Sequence, residues 1–531
     1  MSTQSQDNNK RIAKNTFFMY IRMVVVMTIT LFTSRIILQS LGVEDFGIYN
    51  VVGGVITMFS FLNASLSEGT QRFITYELGK GSHDNVRKVF STCVFLHIIL
   101  GLIIVIIAEP VGVWFLTNKL LIPATRMDAA MFIYQISIIS AFAMIITVPY
   151  YSLIIAHEKM KAFAFISVIE AIAKLLIAYV LLGDRDYDKL IFYGFGMLLI
   201  QVMIQLIYFI YCRIKLCESK IMFCFDMTMF KSIASFSSWT IVGSVAYIGV
   251  TQGLNLLLGT FFLPAVNAAR GIAVQVQNAV NTFVKNFQVA INPQITKSYA
   301  SGDIIAMHSL IFRSARFSFF LLLFPILPIL LEADLILYWW LHDVPQYTVD
   351  FVRVILLVSW INCLGNPLGI AARASGNIRR YEMYAASIKL LVIPVGYICL
   401  KSGMPPVSVF LVYLFFELTV LLSNIYVTST LVNYKVALYY KQVILRVVIV
   451  AIMSSIAPLL CHLAIEPPLV RFFVTIVVSV ISSVITIYLG GLQYKERLFF
   501  YNKFITIKKK LKKYDNRLYN RCIRYVSYRT P

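Results

Sequence analysis

The sequence predicts an all-α polytopic membrane protein of about fourteen transmembrane helices, arranged as two pseudo-symmetric six-helix bundles plus two extra C-terminal helices. Three observations carry that expectation. First, 59% of the 531 residues are hydrophobic, only 14% are charged, and the mean hydropathy is +0.78; soluble chains carry about 25% charged residues. Second, apolar runs long enough to cross a bilayer, about 20 residues each, recur along the whole chain between short polar breaks. Third, stretches of the first half return in the second half, in order and at nearly one offset.

The expected spans are 16–39, 47–70, 89–116, 129–155, 163–183, 190–212, 235–259, 265–290, 315–341, 349–371, 383–400, 407–431, 444–463 and 470–490. Segments 47–70 and 265–290 are rich in Gly, Asn, Gln, Ser and Thr and are the weakest of them. The polar start MSTQSQDNNKRIAKN lacks a small-residue cleavage site after it and reads as the lead into a retained first span. The domains then follow: 1–15 an N-terminal cytoplasmic segment, 16–213 the first bundle, 214–234 a cytoplasmic linker, 235–431 the second bundle, 432–490 two added helices, and 491–531 a basic cytoplasmic tail. None of the eight cysteines forms a CxxC pair, and most lie in or beside apolar segments. They read as small fillers rather than a disulfide framework.

The net charge of +22 is topological. With the N-terminus inside, 32 of the 47 Lys and Arg residues fall in inside segments and 5 in outside loops. By the positive-inside rule this places both ends in the cytoplasm. The outside loops, such as LGVEDFG and GDRDYDKL, are short. The basic, aromatic-rich tail fits the anionic leaflet surface better than nucleic acid.

The internal repeat pairs LGVEDFGIYNVVGGV with LGTFFLPAVNAARGI, matching Leu41/Leu258, Gly42/Gly259, Asn50/Asn267 and Gly54/Gly271. TYELGKGSHD and KSYASGD pair Tyr76 with Tyr299 and Gly79 with Gly302; the tripeptide KLL recurs at Lys174 and Lys389. An offset of six spans preserves orientation, so the copies are parallel repeats. Two such bundles with a site between them form a transporter plan.

Charge inside the membrane costs about 2.5–3.5 kcal/mol per residue and so marks cavities or partners. Arg35, Arg270 and Lys285 are the candidate anion-binding cations, from spans one and eight of opposite bundles. A guanidinium offers paired donors matched to phosphate oxygens, whereas Lys acts as a point charge; snorkelling to nearby headgroups is the competing role for each. Glu170 and Lys174 are spaced for an i, i+4 ion pair, with an ion-linked switch as the alternative. Glu68 and Arg72 share that spacing. Lys389 has Ala385 where Lys174 has its acid, and Glu417 has no local basic partner, which makes it a candidate for coupling-ion binding. Asn63, Gln275 and Asn278, with Gln277 and Asn281, either bond helix to helix or line a hydrated cavity.

The stretch SRIILQSLGVEDFGIYN, the polar span after it and YELGKG together resemble the polysaccharide-transport branch of the multidrug/oligosaccharidyl-lipid/polysaccharide (MOP) exporter superfamily, and Wzx-type O-antigen flippases most. The likeness runs over essentially the whole chain. It implies export of an undecaprenyl-pyrophosphate-linked oligosaccharide from the cytoplasmic to the periplasmic leaflet by alternating access, with a polysaccharide polymerase as a partner and no cofactor beyond a coupling H⁺ or Na⁺. NAARG resembles the place where lipid II flippases of this superfamily keep a substrate-binding arginine, which points to Arg270. Drug antiporters of the superfamily keep an acid in span one, and none lies between Phe17 and Gln39 here. A cation-coupled drug or metabolite antiporter is the alternative function. A membrane glycan polymerase or ligase is disfavoured: the one outside acidic cluster, Asp184, Asp186 and Asp188, reads as a solvated loop. No GxxxxGK[ST] loop is present for ATP.

Overall fold

A bilayer leaves no water for free backbone groups, so a chain this apolar must satisfy them within helices. The computed structural model describes residues 3–57, 60–118, 122–183, 188–222, 226–262, 264–494 and 496–498, and among these every regular element is helical. The helices of the first half are α1 (Thr3–Thr57), α2 (Ser60–Lys80), α3 (His83–Asn118), α4 (Met127–Ala156), α5 (Met160–Leu181) and α6 (Lys189–Lys215). Those of the second half are α7 (Met227–Phe261), α8 (Pro264–Ala300), α9 (Ile304–Leu341), α10 (Thr348–Ser375), α11 (Arg379–Leu390) running on as α12 (Val392–Lys401), and α13 (Val407–Val432). The short α14 (Val436–Tyr439) and a π-turn lead into α15 (Leu445–Ala464) and α16 (Pro468–Thr486).

Among the described residues twelve helices are long and apolar enough to cross a membrane, and the long helices α2 and α8 are left out by composition. α8 holds the polar segment 265–290 singled out above, whereas 47–70 is divided between the end of α1 and the start of α2; both helices sit where the two bundles meet: α2 packs on α7 and α8 as well as on α3 and α4, and α1 packs on α8. Their polarity belongs to an interior position rather than a lipid-facing one.

The loop expected at LGVEDFG is not a loop. Helix runs up to Gly42 and resumes directly after it, with Gly42 alone non-helical at φ 75°, ψ 174°. That combination is open in practice only to glycine and would cost another residue about 1–3 kcal/mol. The pairing of Gly79 with Gly302 also needs correction. Gly81 and Gly302 are the two with positive φ, 78° and 76°, each two residues before the next long helix begins. Gly79 instead lets α2 and α8 touch: a Cβ there would stand 2.6 Å from that of Ala300. The Tyr76/Tyr299 match is spatial as well, since their rings face each other with centroids 6.3 Å apart.

Buried aliphatic and aromatic side chains form one large core in the second bundle, including Phe351 and Phe410 stacked at 4.4 Å, and a separate one in the first, around Phe90, Leu153 and Ile204. The added pair α15–α16 packs on α9. There the fully buried Glu332, at a break in the α9 helix, accepts from His462 at 2.8 Å and lies 3.3 Å from Arg471 Nε. The basic tail beyond residue 498 lies outside the described residues.

Candidate functional site

Two cavities adjoin, one of about 300 Å³ between the bundles and one of about 690 Å³ set mostly within the second, with Glu68, Lys285, Asn366 and Arg373 in the walls of both. The smaller lies among α2, α8 and α10. The larger extends toward α7, α11 and α13, where Tyr247, Glu382, Lys389 and Asn424 line it.

The side chains there are brought together by helix ends that sequence reading assigned to loops. Arg373, in the last turn of α10, lies 3.0 Å from Glu68 on α2 and 3.8 Å from Glu382 on α11. Glu68 and Arg72 do not pair with each other. Arg72 donates instead to the carbonyls of Arg373 at 2.9 Å and Ala374 at 3.1 Å, and its guanidinium lies over the rings of Phe73 and Tyr76 at 4.5 and 4.8 Å. Carbonyls ending a helix carry partial negative charge, so a cation there is stabilised. The two α2 residues thus reach the opposite bundle one turn apart.

Lys389 finds the acid that its own helix lacks: its Nζ lies 3.0 Å from Oε1 of Glu417, a 1%-exposed carboxylate on α13. Its repeat partner Lys174 donates to Glu170 at 2.6 Å within α5. The charge pair therefore occurs in both bundles, with the acid moved to another helix in the second.

Lys285 is different. It is exposed in both cavities, and among the described residues it makes no ion pair. It also stands on a regular stripe. Gln275, Asn278, Thr282, Lys285, Val289, Asn292 and Thr296 follow one another at alternating steps of three and four along one face of α8. Six of the seven are polar. The first four are exposed, and from Lys285 onward the stripe lines the smaller cavity. At 1.5 Å per residue it runs about 30 Å, the thickness of the hydrocarbon core. A mostly polar row of that length, exposed over its first half and lining the cavity beyond, is at home against a wet path, not against lipid. Gln277, on another face of α8, reaches the Ile355 carbonyl at 3.5 Å within the second bundle. The Asn63 side chain lies outside the described residues.

Arg35 and Arg270 line neither cavity. Arg35 is exposed on the face of α1 that also shows Phe17, Ile21, Val24 and Phe32, seven residues before the Gly42 break. That is about 10 Å of helix, within reach of headgroups for a long side chain. Arg270 is half-buried and turned to α7, donating to the Thr251 carbonyl and, at 3.4 Å, to Asn255 Oδ1. Sequence reading placed neither Arg72 nor Arg373 in the site: spacing paired Arg72 with Glu68, and Arg373 counted only as a loop charge. The available signal was the 3–4 periodicity of polar residues on α8, which identifies the face they join.

At the end of the molecule where most of the Lys and Arg cluster, the basic face, a second set of contacts joins the bundles. Glu158, in the α4–α5 turn at φ 58°, is buried and accepts from Lys297 Nζ at 2.7 Å and from Gln294, both on α8, and from Arg11 Nη2 at 2.9 Å. On the opposite face Arg126 is held between Asp45 and Asp188. Burial alone would raise the Asp188 carboxyl, but the Arg126 hydrogen bonds and the α6 N–H groups hold it below its ordinary value.

Comparison with known proteins agrees with this architecture. The MatE family profile matches residues 20–180. A MATE structure in the bent conformation superposes with a TM-score of 0.69 at 14% identity, over 82% of this chain and 97% of that one. An outward-facing multidrug resistance MATE transporter of the MOP superfamily gives 0.67 at 15%, over 81% and 97%. The chain has the MATE fold. A MOP superfamily transporter from Pyrococcus furiosus, described by the reversed polarity of its binding pocket, matches with a TM-score of 0.65 at 15% identity, over 81% of this chain and 96% of that one. No curated protein matches the chain in sequence.

Proposed function

We propose that this protein is a flippase that moves an undecaprenyl-pyrophosphate-linked oligosaccharide between leaflets by alternating access, with its basic face in the cytoplasm. The observation that carries the reading is Lys285, a cation without a carboxylate partner, set between the bundles on a polar stripe as long as the membrane core is thick. An unpaired positive charge facing a cavity favours an anion, and a diphosphate is the anionic part of a lipid-linked sugar. Arg72 beside it has no carboxylate partner among the described residues either. The row of amides and hydroxyls on α8 offers donors and acceptors to sugar hydroxyls, while the isoprenoid stays in lipid.

A second reading, a cation-coupled drug antiporter, is favoured by the buried acids Glu382 and Glu417. Reconstitution separates the two. Vesicles holding the full chain and a fluorescent polyprenyl-pyrophosphate oligosaccharide are quenched from outside, and a cationic dye is assayed in parallel. Flipping that falls about 10- to 100-fold in Lys285→Ala, the loss of one charge-assisted contact, with dye unmoved, supports the flippase. Dye exchange driven by a cation gradient, with no lipid movement, supports the antiporter.

A further inference from the structure

On the basic face of the first bundle, away from the path between the bundles, a separate cavity of about 580 Å³ is lined by residues from three places in the chain. His83, Asp84 and Arg87 come from the start of α3; His157 and Lys159 from the α4–α5 turn; Lys215, Cys217, Glu218 and Lys220 from the end of α6 and the turn after it. The volume is that of a ligand pocket.

The charges there are not balanced from within. Glu218 is buried, and its carboxylate is hydrogen-bonded to His83 Nδ1 at 2.7 Å, with His157 Nε2 farther off at 3.7 Å. Asp84 is the only other acid in the wall. Arg87 donates through Nε to the Lys220 carbonyl at 2.8 Å, which aims the rest of the guanidinium but neutralises nothing. Among the described residues none of Arg87, Lys159, Lys215 or Lys220 makes an ion pair. A positive-inside bias explains why such residues lie on this face. It does not explain why four of them, from three separate segments, converge on one hollow with a buried carboxylate already engaged by His83. Like charges held together repel unless an anion joins them.

We infer that this cavity binds a phosphate group, with Arg87, Lys159, Lys215 and Lys220 as its ligands and the Glu218–histidine cluster as its floor. Arg supplies paired donors to phosphate oxygens and the lysines supply charge. The phosphate comes from an anionic lipid headgroup or from a soluble phosphate compound; the chemistry of recognition is the same. The site does not depend on what the inter-bundle path carries. His157 and Lys159 flank Glu158, whose carboxylate holds Lys297 and Gln294 of the second bundle, so the site and that contact share one turn.

The test uses the full chain in nanodiscs. Thermal unfolding is followed in phosphatidylcholine alone, in phosphatidylcholine with phosphatidylglycerol, and in phosphatidylcholine with inorganic pyrophosphate added. A rise in Tm with phosphatidylglycerol assigns the site to a headgroup, and a rise with pyrophosphate alone assigns it to a soluble phosphate. In either case the Lys159→Gln/Lys215→Gln/Lys220→Gln variant weakens the apparent affinity about 100-fold, at about fivefold per lost cation. Lys231→Gln/Lys435→Gln/Lys441→Gln removes as many exposed charges elsewhere and keeps the response. The inference is overturned if neither additive raises Tm, or if both triple variants lose the response equally.

Discussion

Lys285 and Arg373 share a cavity wall yet do opposite electrostatic work. Arg373 has two carboxylates within 4 Å, and removing it leaves Glu68 and the buried Glu382 facing each other unneutralised. Arg373→Ala should therefore cost about 3 kcal/mol of stability, toward the low end for a broken buried pair because Glu68 is half exposed. Glu68→Gln in the same chain should restore part of that, read by thermal unfolding in detergent. Lys285→Ala removes no internal partner and should leave stability nearly unchanged while transport falls. The His157–Glu218 contact carries a pH dependence. Burial, with Lys297 and Lys159 nearby, pushes the His157 imidazole below its ordinary value despite Glu218. Burial would raise Glu218, but its own backbone N–H and His83 outweigh that and hold it low. Below about pH 6.5 the unfolded chain takes up a proton that the folded imidazole resists, and below about pH 4.3 the unfolded carboxyl protonates before the folded one. Both effects have one sign: stability present at pH 7 declines as pH falls. His157→Gln should flatten the slope of Tm between pH 7 and pH 5, and an unchanged slope would exclude this imidazole as its source.

At the scale of the element, α8 carries the functional argument. Its amides were visible in the sequence, but their sorting was not. Gln275 and Asn278 fall on the exposed stripe, whereas Gln277 is turned to the Ile355 carbonyl inside its bundle. Steps of three and four were countable in the sequence, yet only packing against α9 and α10 decides which stripe is left wet. Gln275→Leu/Asn278→Leu should insert and fold normally and lower lipid flipping, as followed by the quenching assay. Gln277→Leu should instead leave transport kinetics intact and reduce Tm modestly, by the loss of one long hydrogen bond. Equal transport in the first variant and wild type would remove the stripe from the path. Helix α1 shows the converse. Arg35 was conspicuous as a charge within an apolar run, but its neighbours at i−3, i−11 and i−14, Phe32, Val24 and Ile21, are exposed apolar residues. The same periodicity that exposed it in the sequence places it on the outer surface.

For the whole molecule, the joints between the bundles lie toward the basic face. Glu158 with Lys297 and Gln294, Arg72 with the end of α10, the Tyr76–Tyr299 ring pair and the Gly79–Ala300 approach all fall near the adjacent ends of α2, α8 and α10. Opening on that face requires breaking these contacts together. Glu158→Gln removes the charge that holds Lys297 and Arg11 and should shift the population toward opening there. A cysteine placed at Asn292, in the smaller cavity, should then react several-fold faster with an impermeant maleimide from the basic face. No acceleration would mean that Glu158 does not hold that side shut.

Composition and span-length apolar runs determined an all-helical membrane protein, and an echo spaced by six spans foretold two like bundles, because bilayer thickness and backbone hydrogen bonding leave few other solutions. The polar weakness of α2 and α8 was legible for the same reason. Which charges meet across helices was decided only by tertiary structure, whereas the Glu170–Lys174 pair within α5 was legible from its spacing. Lys389 and Glu417 are 28 residues apart and Glu68 and Arg373 lie 305 apart, and spacing along a chain says nothing about partners on different helices. The sequence shows a charge that needs an explanation; only the packing of neighbouring helices determines whether lipid headgroups, another side chain or a cavity supplies it.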